Sequence, residues 1–148
     1  MRLLIQRAAR ASVSVDGTIV SSIGPGLVIL VGVGRGDDAD QVEPLADKVA
    51  GLRIFRDDDG KTNRAIGDVG GETLVISQFT LYADTSKGRR PSFIRAADPR
   101  VAEELVEAFA RALEARELRV GRGVFGAEMA VELVNDGPFT MWLDAGGA

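Results

Sequence analysis

The sequence predicts a mixed α/β fold in a single domain over residues 1–148. The apolar run 27–33 is continuous and β-branched, which is typical of a strand covered on both faces. Two stretches, 38–52 and 98–116, repeat apolar residues at helical spacing. The sequence contains no repeat, low-complexity segment or linker, and 148 residues suffice for one substantial core.

The first third of the chain predicts strands followed by a helix. Residues 3–15 favour one or two strands, and Gly17 marks a turn into another strand at 18–23. The buried run comes next, and the residues Asp-Ala-Asp at 38–40 can then cap a helix that reaches about residue 52. Lys48 lies late in this helix, where the helix dipole favours a cation.

The middle of the chain predicts two strands and an acidic turn. A short strand at 53–55 leads into the run 57–61, Asp-Asp-Asp-Gly-Lys. Such a run could bind a cation, but it lacks the later ligands of a calcium loop, so a solvated turn is the preferred interpretation. The glycine pair at 70–71 then precedes a predicted buried strand at 73–79.

The last part predicts a loop, a helix and further strand. A polar, basic loop covers 85–92, and Asp98 followed by Pro99 is typical of a helix start. This helix should reach about residue 116, and the stretch 118–143 should be strand again.

Composition excludes several kinds of chemistry. The chain has no cysteine and no histidine, which removes thiol catalysis, disulfides, the serine–histidine–aspartate triad and the commonest metal ligands. The net charge of −4 argues against an extended basic surface that binds nucleic acid, so any contact with nucleic acid should be local. The N-terminus does not resemble a signal peptide, and the longest apolar run is too short to span a bilayer. We therefore expect a cytoplasmic protein without a membrane partner.

The hexapeptide Asn-Asp-Gly-Pro-Phe-Thr at 135–140 lies between two apolar, strand-like runs. Its residue types are those of hairpin turns, and a turn is the simpler interpretation. The alternative is that a rigid Gly-Pro backbone takes part in function, because the usual catalytic side chains are missing.

Two further segments have unusual patterns. At 77–84, Ser, Gln and Thr interrupt a predicted core strand, which indicates either a strand end facing a pocket or a strand leaving the core. At 123–129, glycines flank a single aromatic residue, which could stack on a ligand base or simply fill a bulge in the core.

Four motifs, in order along the chain, resemble those of the D-aminoacyl-tRNA deacylases. They are Ser-Gln-Phe-Thr-Leu-Tyr-Ala-Asp at 77–84, Lys-Gly-Arg-Arg-Pro-Ser-Phe at 87–93, Phe-Gly-Ala-Glu-Met at 125–129 and the hexapeptide 135–140. The resemblance implies a layered fold of mixed β-sheets packed with two main helices, and a homodimer. It also implies hydrolysis of the ester between a D-amino acid, or misattached glycine, and the 3′-terminal adenosine of tRNA, without a metal or organic cofactor.

The resemblance assigns the Gly-Pro step a role in selecting chirality. It implies that Gly137 and Pro138 are joined by a cis bond and reach into the site of the partner subunit, where an L-residue would drive its β-carbon into the backbone. Arg7 is implied to hold this loop through its carbonyls; the alternative for Arg7 is an exposed strand residue. Phe139 departs from the family pattern, in which many members have a smaller β-branched residue, and puts only the local packing in doubt.

Hydrolysis is assigned by the same resemblance to the segment that comprises Ser77, Gln78, Phe79 and Thr80. Thr80 could be a nucleophile, but no base in the sequence would activate its hydroxyl. In the preferred mechanism, backbone amides near Ser77–Phe79 form an oxyanion hole and the substrate's own 2′-hydroxyl assists a water.

The remaining predicted contacts are with the substrate. Phe125 and Met129 match family residues that line the adenosine and aminoacyl pocket. Lys87, Arg89 and Arg90 form the best basic patch and could meet phosphates near the acceptor end, or be only a solvated loop. Two other functions stay open: a nucleic-acid-binding module without hydrolysis, and a domain of the same fold that edits L-amino acids.

Overall fold

The computed structural model describes residues 1–146, which form eight strands and two helices. The first two strands, β1 (Arg2–Val15) and β2 (Thr18–Ile23), pair antiparallel through a two-residue turn at Asp16 and Gly17. Both turn residues have positive φ, at 50° and 78°, as the tightest hairpins require. The stretch predicted as one or two strands is thus one long strand.

The main sheet is mixed. Its remaining members are β3 (Gly26–Gly32), β6 (Glu72–Ser77), β7 (Arg119–Arg122) and β8 (Ala130–Asp144). The order is β2-β1-β3-β6-β7, with β8 antiparallel to β1 along nearly its whole length. The three strands β3, β6 and β7 are parallel to one another. Parallel and antiparallel pairing in one sheet confirms the mixed α+β class.

A small hairpin lies outside this sheet. It pairs β4 (Phe55–Arg56) with β5 (Thr62–Arg64) around the acidic run 57–61. The carboxylate of Asp57 accepts the amides of Asp59 and Lys61, at 3.0 and 2.9 Å, and these bonds hold the pKa of Asp57 below its ordinary value. The run is therefore a turn, as predicted.

Both predicted helices are present. α1 (Val42–Gly51) follows a short 3₁₀ turn that Asp38 caps, and α2 (Pro99–Glu114) starts after Asp98, whose carboxylate accepts the amide of Arg100 at 3.0 Å. The two helices cover one face of the sheet and enclose the larger core cluster. Its most deeply buried side chains include Leu3, Ile5, Leu27, Ile29, Ile66, Phe109 and Leu113.

The predicted strand at 118–143 is interrupted, and the hairpin interpretation of the hexapeptide is wrong. Residues 123–129 form a loop between β7 and β8, whereas the hexapeptide lies inside β8. There β8 continues along β1, with shifts of register on either side of Ala8. The chain pairs with β1 both before and after the Gly-Pro step, so this step is an irregularity within a strand and the chain does not reverse.

Among residues 1–146, neither helix has the length and hydropathy that would let it cross a lipid bilayer.

Gly26 allows β3 and β6 to approach closely. It pairs with Glu72 in the parallel ladder, and a Cβ at position 26 would lie 1.8 Å from the Glu72 carbonyl oxygen. Because that oxygen belongs to the backbone, the strands would have to separate. We expect Gly26→Ala to lower the free energy of unfolding in urea by roughly 1–3 kcal/mol or more.

Gly51 provides the matched control. It ends α1, and a Cβ there would have no neighbour within 4 Å. Gly51→Ala should raise the free energy of unfolding, by up to about 1 kcal/mol. Equal urea midpoints for the two variants would contradict the close approach at Gly26.

Candidate active site

A pocket of about 560 Å³ opens where the parallel strands β3 and β6 end. Its floor is formed by Val31 and Ile76, near the carboxyl ends of these strands. Its walls come from the segment 93–97, the first turns of α2 and the loop 123–129. The carboxyl edge of parallel strands is the usual place for a ligand in such sheets, because the chain leaves the sheet there in loops. The volume is within the range of small-molecule sites.

Three of the predicted catalytic residues line this pocket. Ser77 is the last residue of β6, and Gln78 and Phe79 follow it into a 3₁₀ turn that spans Phe79–Tyr82. The interpretation of 77–84 as a strand end facing a pocket is therefore confirmed. Thr80 is exposed and is not among the pocket residues.

The backbone amides in this segment differ in availability. The amide of Gln78 donates to the Val31 carbonyl at 2.8 Å, so it serves the sheet and cannot bind an oxyanion. Phe79 and Thr80 begin the 3₁₀ turn, where the first amides have no partner within the turn. Among residues 1–146, neither amide donates a hydrogen bond to a backbone carbonyl outside the turn. The available donors are thus Phe79, which was among those expected, and Thr80, which lies one residue beyond them.

The Thr80 hydroxyl has a donor beside it, not a base. The Gln78 side-chain amide donates to Thr80 Oγ1. A hydroxyl oxygen that accepts from an amide is less nucleophilic, since nothing there removes its proton.

The opposite wall is the loop 123–129. Phe125 and Met129, which the resemblance places in the substrate pocket, both line this pocket and are half-buried. The loop is tightly packed, because a Cβ at Gly123 would lie 2.7 Å from Met129 Sδ. The same sulfur accepts the Val124 amide at 3.4 Å.

Arg122 fixes the start of this loop, a role that the sequence pattern did not indicate. Its guanidinium donates to Glu107 at 3.0 Å and to Glu114 at 2.7 Å, which ties the end of β7 to α2. The hydrogen bonds from Arg122 also hold the pKa of the Glu114 carboxyl below its ordinary value.

A second anchor that sequence reasoning missed lies behind the 3₁₀ turn. The Asp37 carboxylate accepts the Gly34 amide at 2.6 Å and the Tyr82 hydroxyl at 3.0 Å, and it pairs with the Met1 ammonium at 2.7 Å. Burial alone would raise the pKa of Asp37, but the hydrogen bonds from Met1 and Gly34 lower it overall. Burial, with the Asp37 charge, raises the pKa of the Tyr82 hydroxyl well above its ordinary value. Tyr82 is therefore a fixed neutral donor that holds the end of the turn.

The basic residues Lys87, Arg89 and Arg90 are all exposed, at the tip of a closed loop. The loop is closed by reciprocal hydrogen bonds between the backbones of Asp84 and Ser92, at 2.8 and 2.9 Å. The segment then continues directly into Phe93, which lines the pocket.

The Gly137–Pro138 peptide bond is cis, which is the isomer that the resemblance implied. Both residues are exposed, and neither lines the pocket of its own chain. They lie on β8 beside β1, so β1 and β3 separate them from β6 in the sheet order.

Arg7 is buried, with 3% of its surface exposed, so the interpretation of an exposed strand residue is wrong. Its Nε donates to the Asp136 carbonyl at 3.1 Å, and Nη1 donates to the Ile54 carbonyl. The guanidinium lies 4.8 Å from the centre of the Phe139 ring, a cation–π contact that gives this larger residue a packing partner. Arg7 thus contacts both sides of the Gly-Pro step.

The comparisons with known proteins agree with this architecture. A family model described as D-Tyr-tRNA(Tyr) deacylase matches residues 4–144. The D-aminoacyl-tRNA deacylase of Thermomicrobium roseum is 62% identical over 98% of this chain and 94% of its own. That of Deinococcus radiodurans is 56% identical over 97% of this chain and 99% of its own.

Two solved structures share the fold. The c-Myc DNA Unwinding Element Binding Protein superposes with a TM-score of 0.90 at 37% identity, covering 97% of this chain and 98% of its own. A probable eukaryotic D-amino acid tRNA deacylase gives 0.82 at 17% identity, covering 96% and 97%, which supports the fold alone.

Fold, pocket and relatives together define a hydrolase that acts on aminoacyl-tRNA ester bonds. The chain belongs to the D-aminoacyl-tRNA deacylase family, as its motifs predicted.

Proposed function

We propose that this protein is a homodimer that hydrolyses the ester of D-aminoacyl-tRNA, and of glycyl-tRNA, in the cytoplasm. It rejects L-amino acids through the Gly137–Pro138 step and needs no metal or organic cofactor. The principal support is the amide of Phe79, a pocket residue that follows the half-buried Ser77 and Gln78, together with the adjacent amide of Thr80; neither amide donates to a backbone carbonyl outside its own turn.

Hydrolysis proceeds by attack of a water on the ester carbonyl carbon. The negative charge that develops on the carbonyl oxygen is stabilised by the amides of Phe79 and Thr80, and the substrate's 2′-hydroxyl assists the water. The C–O bond then breaks, releasing the amino acid and the tRNA 3′-hydroxyl. An oxyanion donor of this kind typically contributes ~2.7–4 kcal/mol to lowering the barrier, so amides alone are a sufficient source of catalysis.

The pocket orients the substrate for this attack. The terminal adenosine lies between Phe125 and Met129, where one aromatic and one polarisable side chain can contact a base. Lys87, Arg89 and Arg90 meet phosphates of the acceptor end, since they are the exposed cations on the loop that leads to the pocket.

Stereochemical selection comes from the partner subunit. Gly137 and Pro138 are exposed and remote from their own chain's pocket, so a second copy must supply them to it. A rigid backbone beside the substrate α-carbon excludes the β-carbon of an L-residue and leaves a D-side chain pointing outward. Arg7 supplies the rigidity through its bond to the Asp136 carbonyl.

The surface of β8 supports a dimer. Among residues 1–146, β8 pairs with β1 alone, so its other edge has no strand beside it. This strand exposes three apolar side chains, those of Val131, Val134 and Trp142. Covering them with a partner would stabilise the assembly, because burial of apolar surface is favourable.

The activity is tested with D-tyrosyl-, L-tyrosyl- and glycyl-tRNA. We expect rapid loss of the D-tyrosyl and glycyl esters and no loss of the L-tyrosyl ester, measured as free amino acid released. Loss of only the L-ester would indicate an editing domain. Binding of the tRNA without any ester loss would indicate a nucleic-acid-binding module, the kind of function in the name of the 37%-identical structural neighbour.

The amide mechanism predicts that the Thr80 hydroxyl is dispensable. Thr80→Ala keeps the backbone amide and removes only the side-chain oxygen, so most D-tyrosyl-tRNA hydrolysis should remain in single-turnover assays. Thr62→Ala, at an exposed threonine of β5, is the matched control. A loss of roughly a thousandfold in folded Thr80→Ala alone, about 4 kcal/mol, would instead establish the hydroxyl as the nucleophile.

The filter predicts that Arg7 determines selectivity more than rate. Arg7→Lys removes the planar group that reaches the Asp136 and Ile54 carbonyls together, so the loop should move and the ratio of D- to L-tyrosyl-tRNA hydrolysis should fall. The control is Arg56→Lys, because Arg56 pairs with the Asp136 carboxylate from the exposed side, where an ion pair contributes little. A role in folding alone would lower both rates together and leave the ratio unchanged, and that result would exclude Arg7 from the filter.

A further inference from the structure

The segment 84–95 is locally cationic in an acidic protein. It contains four cations, Lys87, Arg89, Arg90 and Arg95, and one carboxylate, Asp84, whereas the whole chain has a net charge of −4. Hydrogen bonds from the side chain and amide of Ser86 hold the pKa of Asp84 below its ordinary value, so this carboxylate stays ionised. The segment nevertheless keeps a net charge of +3 at neutral pH.

An aromatic pair lies beside this segment at the pocket mouth. Phe79 and Phe93 both line the pocket, with ring centres 4.9 Å apart and ring planes at 70°. In such an edge-to-face contact one ring presents its edge to the partner, so its own faces are not covered by that partner. Phe79 is also 56% exposed, so this pair does not serve only to fill the hydrophobic core.

The cations and Phe93 belong to one segment, which backbone hydrogen bonds hold at both ends. Phe93 directly follows Ser92, whose backbone closes the basic loop onto Asp84. On its other side, the segment 93–97 is held by the Arg35 amide, which donates to the Arg95 carbonyl at 2.9 Å, and by the Ala97 amide, which donates to the Val33 carbonyl at 3.0 Å. An aromatic platform beside exposed cations is the combination that binds single-stranded nucleic acid, because bases stack on rings while cations meet phosphates.

We propose that Phe79 and Phe93 form a stacking subsite for the base of the nucleotide that precedes the terminal adenosine of the tRNA. This inference rests on the proposed function, because a terminal nucleoside bound inside the pocket must be followed by its neighbour at the mouth. The contact does not depend on which base is present, since every base has a face that can stack. The enzyme therefore binds two nucleotides of the single-stranded end. The terminal adenosine lies inside the pocket, and the base of the preceding nucleotide stacks at the pocket mouth.

The test compares two small substrates, the D-tyrosyl ester of adenosine and the D-tyrosyl ester of the dinucleotide cytidylyl-adenosine. Stacking is worth about 1–3 kcal/mol per base, so kcat/KM of the wild-type protein should be roughly 5- to 150-fold higher for the dinucleotide. In Phe93→Leu this ratio should fall to about 1, whatever the absolute rates. Phe93→Tyr keeps a ring and should keep the ratio.

Ile94 provides the matched control, because it is the next residue, is 68% exposed and does not line the pocket. Ile94→Ala should have the wild-type ratio. A wild-type ratio near 1, or an unchanged ratio in Phe93→Leu, would overturn the subsite while leaving the deacylase proposal intact. Failure of the wild-type protein to cleave either D-ester would instead overturn the deacylase proposal itself.

Discussion

The hydrogen bond from the Gln78 amide to the Val31 carbonyl is the constraint on which the site depends. It is the last bond between β3 and β6, and it fixes where the chain leaves the sheet. The next two residues enter a 3₁₀ turn, so their amides have no partner within it. Tyr82 then ties the far end of the turn to Asp37. The turn that carries these two amides is thus held by strand pairing on one side and by a half-buried carboxylate on the other.

A site built from backbone needs rigidity more than it needs ionisable groups. In the proposed filter, steric exclusion of an L-residue fails once the loop shifts. The need for rigidity accounts for a contrast in the structure: the pocket has few ionisable side chains, whereas Arg7 makes several polar and aromatic contacts. Arg7 is a buried cation with a carbonyl on each side, a carboxylate 3.4 Å away and a ring at 4.8 Å. Removing a charge from water is costly, and these partners together offset that cost.

The sequence predicts the fold well where the signal is local. Asp98 caps α2 as expected, Asp38 caps the 3₁₀ turn that precedes α1, and the β-branched run is a buried strand. It fails where long-range pairing decides: the residue types at 135–140 favour a turn, but residues 136–139 form an unpaired irregularity in β8, and Thr140 then pairs with β1 again. Burial of Arg7 also depends on β4 and β8, which are distant in sequence. Phe93 was overlooked for a related reason, because a single aromatic in a polar loop has no periodicity that indicates a pocket.

Charge distribution determines how an acidic enzyme can approach a polyanion. With +3 in the segment 84–95 and −4 overall, the rest of the chain sums to −7 at neutral pH. Such a distribution disfavours most orientations of a tRNA against this surface, which supports the proposal that the basic loop is the point of contact. Because that loop leads into Phe93 and the pocket, the proposed contact would also bring the acceptor end towards the amides of Phe79 and Thr80. The same arrangement limits the affinity for other nucleic acids, since a long duplex would have to lie against the acidic remainder.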